Sequence, residues 1–175
     1  MTATNGGVDL QTAAGGMTVA QDVSAAGAVN VRVVGGTFAN QADVTAGTGF
    51  GILIRTDAID LQAGSTIQSD REVNIAAASA GVGLNLGSPA AGLDFTQAEL
   101  DTITATQLRL TATADVTLVS AVTLSARVPT LYLEAGFGGV VDGSAGEQPD
   151  LTVANLAVQA ANGIGSADDL DVSTT

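Results

Sequence analysis

Short apolar pairs separated by one residue recur from one end of this chain to the other, at a nearly fixed distance. Between Leu93 and Leu133 they are Leu108/Leu110, Val116/Leu118, Val122/Leu124 and Leu131/Leu133, with Thr, Ser, Ala or Asp in most gaps. A spacing of two puts both members of a pair on one face of a strand. The intervals between pairs are too short for helices and carry few prolines, which predicts short strands joined by tight corners. Upstream the same pattern gives Val8/Leu10, Val29/Val31/Val33, Ile52/Ile54, Ile59/Leu61, Val73/Ile75 and Val82/Leu84/Leu86. In VNVRV the alternate residues are Asn30 and Arg32, so one face is apolar and the other polar. The one helix signal is Thr96-Gln97-Ala98-Glu99, which has capping-box spacing and predicts a helical turn at a corner.

Counting one strand per unit, Val8 to Val29 is 21 residues, Val29 to Ile52 is 23, Ile52 to Val73 is 21 and Val73 to Leu93 is 20. After a shorter join of 17 to Leu110, the steps to Leu131, Leu151 and Leu170 are 21, 20 and 19. A repeat of coil length, with two or three strands per unit and small-residue turns, predicts an all-β fold. The expected architecture is a right-handed parallel β-helix (β-solenoid) of about 20 residues per coil, in a single domain over residues 1–175. A β-sandwich also has short strands and turns, but it has no need of a coil-length repeat. In a β-helix each inward residue stacks on its counterpart about 4.8 Å away. Such a narrow interior favours Val, Ile, Leu and Ala over aromatics, which are 3% of this chain.

The absence of Cys, His, Lys and Trp removes disulfides, thiol chemistry, Cys/His zinc sites and histidine acid–base catalysis. Eighteen acidic residues against five arginines give a net charge of −13. Such a field repels nucleic acid and anionic membranes, so neither is an expected partner. A hydrophobic fraction of 46% leaves apolar surface to bury and argues against disorder. No apolar run reaches membrane-spanning length. The opening MTATNGGVDL has neither the basic segment nor the apolar run of a signal peptide; the chain is then cytosolic or an internal piece of something longer.

Candidate sites reduce to structural readings. Gly47-Thr48-Gly49-Phe50-Gly51 and Gly136-Phe137-Gly138-Gly139 do not complete G-x-G-x-x-G, and a chain without Lys has no Walker A motif; these are corner glycines. Gly138-Gly139-Val140-Val141-Asp142 lacks a glycine of the Gly-Gly-x-Gly-x-Asp calcium coil. Calcium is the one ion the sequence leaves room for, at the acidic cluster Asp168, Asp169 and Asp171, though a solvated turn explains these residues better. Glu99 and Asp101, two apart and on one face of a strand, are the nearest approach to a glycosidase carboxylate pair. With one tyrosine, Tyr132, and no Trp, the aromatic platform of a sugar enzyme is missing. Thr102, Thr104, Thr106, Thr111 and Thr113 give Thr-x-Thr spacing. An ice-binding ladder must recur coil after coil, and this one does not recur at Ile52–Leu61 or Val73–Leu86. No residue is assigned a catalytic, cofactor-binding or metal-binding role.

AGLDFTQAELDTITATQLRLTATADVTLVSAVTL resembles the repeats of very large bacterial surface proteins of the filamentous-haemagglutinin kind, which carry L-x-x-x-x-A-E-L-x-x-I-x-A followed by L-x-I/L strands. LTVANLAVQAANGIGSADDLDVSTT is similar to a second recurring segment, matched at Leu156, Val158, Ala160, Gly163, Ile164, Gly165, Ser166, Leu170 and Val172. The likeness covers about half of the chain closely. It implies a bacterial extracellular or cell-surface setting, an adhesin or surface fibre, no enzymatic activity and no cofactor. The expected partners are copies of the chain or adjacent repeats, end to end, and a host or neighbouring-cell surface. Joined head to tail, LDVSTT-MTATNGGVDLQT continues the strand–turn rhythm, so the chain reads as one period of a longer array or as a subunit that stacks into a fibre. The rival expectations are a β-helix that binds carbohydrate or ice, and a polysaccharide-cleaving enzyme.

Overall fold

The structure, a computed structural model, describes residues 1–89, 92–124, 126–144, 148–165 and 169–174. Apolar alternation becomes strand wherever it occurs, and each circuit of the chain lays down one strand on each of three sides. The first coil is β1 (Thr2–Ala3), β2 (Val8–Thr12) and β3 (Met17–Val19). The second is β4 (Val23–Ala25), β5 (Val29–Val33) and β6 (Thr37–Asn40), and the third β7 (Val44–Thr45), β8 (Ile52–Arg55) and β9 (Ala58–Leu61). The fourth holds β10 (Ile67–Gln68), β11 (Glu72–Ala76), β12 (Leu84–Leu86), β13 (Leu93–Phe95) and the one-turn helix α1 (Gln97–Leu100). The fifth is β14 (Ile103–Thr104), β15 (Gln107–Ala112) and β16 (Val116–Leu118), and the sixth β17 (Val122–Thr123), β18 (Thr130–Ala135) and β19 (Val140–Asp142). A seventh begins with β20 (Leu151–Thr152) and β21 (Asn155–Ala160), and β22 (Val172–Ser173) follows.

The result is a parallel β-solenoid of about seven turns with about 23 residues per turn. Its second side is an unbroken seven-stranded sheet in the order β2-β5-β8-β11-β15-β18-β21. Along it Val8, Val29, Ile52, Val73, Leu108, Leu131 and Leu156 form one column. Leu10, Val31, Ile54, Ile75, Leu110, Leu133 and Val158 form the next. Side chains in the middle of both columns are almost wholly excluded from water, so hydrophobic burial is carried by aliphatic stacks that run the length of the molecule. The narrow interior also admits aromatics: Phe38 and Phe95, both on the third side, are fully buried. Polar side chains join them, Thr56 and Asn40 among them. Asn40 is wholly buried, donates from Nδ2 to the Thr66 carbonyl at 3.4 Å, and leaves its Oδ1 without a partner.

The repeat steps expected from sequence are right through Val73 and then depart. Val73 stacks on Leu108, 35 residues on, because the fourth coil carries an insertion. Leu93 is not in this column; it pairs with Leu84 on the third side. Further on, Leu131 pairs with Leu108 rather than Leu110, and Leu151 pairs with Val122 and Val172 rather than with Leu131 and Leu170. All three sides share the same apolar alternation, so spacing alone does not say to which side a strand belongs.

The insertion also breaks chain order on the third side. There β12 lies between β13 and β16, so the later strand β13 sits nearer the start of the stack. β13 reaches β9 through the Ile59 N–H, which donates to the Gly92 carbonyl at 3.0 Å. The helical turn forms as its sequence predicts. The Thr96 hydroxyl accepts from the Glu99 N–H while the Glu99 carboxylate accepts from the Thr96 N–H, a complete capping box.

The acidic residues turn out to be structural at the corners. Parallel coils leave backbone N–H groups unpaired where the chain turns, and each needs an acceptor. Asp22 accepts from the Asp43 N–H, Asp70 from Gly49, Asp115 from Gly139 and Asp150 from Asp171, each about one coil away. Asp57 takes three donors at once: the Ala78 N–H, the Ser79 N–H and the Ser79 hydroxyl, at 2.9, 2.8 and 2.6 Å. Replacing Asp57 with Ala leaves the Ser79 amide without its acceptor and leaves the Ala78 amide only its longer bond to the Thr56 carbonyl, at 3.3 Å. The expected loss is about 2–3 kcal/mol, with Asp57→Asn falling in between because its Oδ1 still accepts; urea unfolding of the three proteins checks the order.

Candidate functional site

The seven-stranded side is the broadest regular surface, and its outward residues also form columns. One runs Asp9, Asn30, Leu53, Asn74, Arg109, Tyr132, Ala157; the next runs Gln11, Arg32, Arg55, then through Thr111, Glu134 and Gln159. Its most organised polar group lies on β15, β18 and β21. The Arg109 guanidinium donates to Glu134 in an ion pair and stacks over the Tyr132 ring, 4.5 Å from its centroid. The Tyr132 hydroxyl donates to Gln159 Oε1 at 2.7 Å. The hydrogen bond that Arg109 donates to Glu134 raises the Arg109 pKa above its ordinary value, against the opposing effect of burial. The guanidinium is therefore charged at every working pH. With side-chain exposures of 34% and 21% the pair remains partly solvated, so it orders the surface and adds about 1 kcal/mol at most.

Glu99 and Asp101 do not form the strand-borne carboxylate pair that their spacing suggests. Glu99 lies in α1 and Asp101 caps its C-terminus. The Glu99 carboxylate accepts from the Leu61 N–H, the Thr96 N–H and the Thr96 hydroxyl. Asp101 accepts from Gln97 Nε2.

The threonines do not form a ladder either. Thr102 donates to the Glu99 carbonyl, Thr106 to the Arg71 carbonyl and Thr113 to the Ser79 carbonyl. Thr111 is flanked by Ala76 and Glu134, and Thr104 by Gln68.

Both glycine runs sit at corners where coils approach closely. A Cβ on Gly47 would lie 2.0 Å from the Ala26 carbonyl oxygen, and one on Gly138 would lie 2.3 Å from Asp115 Oδ1.

Of the cluster at the end of the chain, Asp168 lies outside the described residues. Asp169 is exposed, and Asp171 gives its N–H to Asp150. The acid that organises that corner is Asp150, 1% exposed, which also accepts from the Ser144 hydroxyl. Sequence reasoning passed over Asp150 because nothing local marks a residue whose partner is a coil away. Among the described residues no three acidic side chains converge closely enough to hold a metal ion, and no helix is long and apolar enough to cross a membrane.

One further concavity lies where the insertion meets β9. It has a volume of about 380 Å³ and is lined by Ile59, Asp60, Leu61, Pro89, Asp94, Thr96, Ala98 and Glu99. The chain matches no family model, no curated protein and no solved structure.

Proposed function

We propose that this chain is a non-enzymatic structural module of an extracellular or cell-surface bacterial fibre or adhesin, continued end to end by further copies or repeats. The observation that carries the proposal is the state of the terminal coils. In β18 the inward residues are fully buried, whereas in β21 the equivalent Leu156, Val158 and Ala160 are only half-buried. At the other end Leu10 and Met17 are half-buried and line a largely apolar concavity of about 530 Å³ together with Met1, Val19 and Val23. Each end presents an unpaired strand edge above an uncovered apolar column, and each is shaped to receive another coil. Seven parallel strands with one repeated register provide a rod whose length scales with the number of coils, which suits a fibre. The net charge of −13 keeps the sides of such rods apart. The filamentous-haemagglutinin-like segments support the same setting.

A carbohydrate-binding reading has the Arg109–Tyr132–Glu134 cluster in its favour, since one ring beside charged hydrogen-bonding groups is a minimal sugar platform. Tyr132 stands alone in its column, without a second ring to extend that platform, so the fibre reading is preferred.

The fibre reading predicts concentration-dependent growth of the isolated chain into rods. Sedimentation velocity and light scattering across a concentration series, with electron microscopy of the same samples, measure it. A monodisperse monomer at every concentration contradicts it.

A further inference from the structure

The solenoid does not end level. Leu151 of β20 stands five residues ahead of Leu156 of β21, as Ile103 stands five ahead of Leu108, so β20 is the first-side strand of the seventh coil. Ile164 bridges Val140 and supplies the third side of that coil. β22 then stacks on β20, with Val172 on Leu151 and Ser173 on Thr152, and opens an eighth coil on the first side. Among the described residues it is the one strand of that coil. The other end begins with a complete coil, β1, β2 and β3.

Two such ends overlap when copies meet. Ala3 also stands five residues ahead of Val8. When Val8 of one copy continues the column above Leu156 of another, Ala3 falls above Leu151, the place that Val172 holds. With both strands kept, β1 stacks on β22 and every later strand is raised by one level. β2 then lies two strand spacings from β21, about 9.6 Å, too far for a ladder. The half-buried Leu156 and Val158 and the 50% exposed Ile164 stay uncovered, as do Leu10 and Met17 across the gap. With β22 removed, β1 pairs with β20, β2 with β21, and β3 lies above Ile164. The Leu151 and Val153 N–H groups, which now donate to the Asp171 and Ser173 carbonyls at 3.2 and 3.0 Å, pass to carbonyls of the incoming β1. One two-residue ladder replaces another, and the five residues of β2 gain a partner strand.

We propose that β22 gates end-to-end assembly: the partner is a second copy of this chain, whose β1 displaces β22 from β20 by strand exchange. This rests on the fibre reading and adds the step that controls it. β22 is the strand that yields, because β1 belongs to a complete coil and Met1 beside it lines the apolar concavity with Leu10 and Met17. β22 has no second-side or third-side strand of its own coil to hold it among the described residues, and Val172 is still 40% exposed in place. In the closed state β22 covers the first side of the C-terminal end and keeps the next copy one level out of register. In the open state all three sides continue, and the apolar columns close over one another.

Two full-length variants test this by light scattering and sedimentation velocity across a concentration series, beside the parent chain. Val172→Asp sets a carboxylate on Leu151 and releases β22. It should lower the concentration at which rods appear by about 10–100-fold, the factor expected when a released state populated at about 1–10% becomes the dominant one. The Thr152→Cys, Ser173→Cys double variant locks β22 in place, since these paired residues lie about 4.8 Å apart, within disulfide range. Oxidised in dilute solution it should stay monomeric throughout the series, and after reduction it should grow as the parent does. If Val172→Asp fails to fold, the oxidised and reduced forms of the locked variant carry the test. Equal growth of the parent, Val172→Asp and the oxidised locked variant overturns the gate and leaves the fibre reading standing. Weaker growth of a folded Val172→Asp chain than of the parent also overturns it, because β22 is then part of the joint. Folded monomers in every sample at every concentration overturn the fibre reading and the gate with it.

Discussion

Leu110→Asp or Ile54→Asp is expected to unfold the coils around the substitution. Both side chains are fully buried in the central column of the seven-stranded side, with an aliphatic neighbour above and below. A carboxylate placed there has no donor or cation within the stack, and burying it unpaired costs about 4 kcal/mol or more. That is comparable to the whole stability of many domains. Because each coil is held mainly by its two neighbours, the damage spreads along the axis rather than staying local. Thr104→Asp is the control. Thr104 is only partly buried and stands beside Gln68 on the outer surface, so a change of about 0.5 kcal/mol is expected. Thermal melts of the three variants read the contrast, and equal tolerance at Leu110 and Thr104 would mean that the inward and outward faces are wrongly assigned.

The second large effect is expected at a corner. Gly47→Ala drives a Cβ to 2.0 Å from the Ala26 carbonyl oxygen and 2.3 Å from its carbon. The obstacle is backbone of the preceding coil, which no side-chain rotation relieves, and about 3 kcal/mol is the expected cost. Two other glycines separate steric closeness from backbone conformation. Gly49 has a φ of +83° but open space around its Cβ position; alanine there costs about 1 kcal/mol from backbone strain alone. Gly6 has open space and no unusual φ, so alanine there should change stability by no more than about 0.5 kcal/mol. Chemical denaturation should rank the three as Gly47, Gly49, Gly6. A Gly47→Ala protein as stable as Gly6→Ala would show that the coils are not packed at this distance.

The sequence declares the solenoid because inward positions repeat. Val8, Val29, Ile52 and Val73 can be counted off by eye, and the structure stacks them in that order. The capping box at Thr96–Glu99 is equally legible, since both partners lie within four residues. What is not legible depends on contacts a full coil apart. Leu93 has the alternation of any other strand, so nothing in the spacing tells that it belongs beside Leu84 on the third side. Asp57, Asp70 and Asp115 look like ordinary solvated turn acids until the amide each one accepts is brought into place from the neighbouring coil. Asp94 is the sharpest case. Its parity predicts an exposed residue, and only the fold of the inserted segment buries it. The coil of about 23 residues, rather than 20, reflects the steps beyond Val73 on the second side, Val73 to Leu108 to Leu131 to Leu156, which are longer than the steps counted between strands of different sides.

End-to-end continuation is the central claim, and the lack of any cysteine permits a direct test. Gln11 on β2 and Gln159 on β21 occupy the same outward column at opposite ends of the seven-stranded sheet. If a second copy continues that sheet in register, Gln159 of one molecule lies beside Gln11 of the next, at the separation of adjacent strands, about 4.8 Å. That falls within the Cα range a disulfide spans. The measurement is non-reducing electrophoresis of a Gln11→Cys, Gln159→Cys double variant after mild oxidation, beside each single variant. The account predicts a ladder of covalent oligomers from the double variant, nothing beyond dimers from either single variant, and collapse of the ladder on reduction. A double variant that remains monomeric, or that yields no more than the dimers of its single-cysteine parents at concentrations where the chain associates, would contradict it.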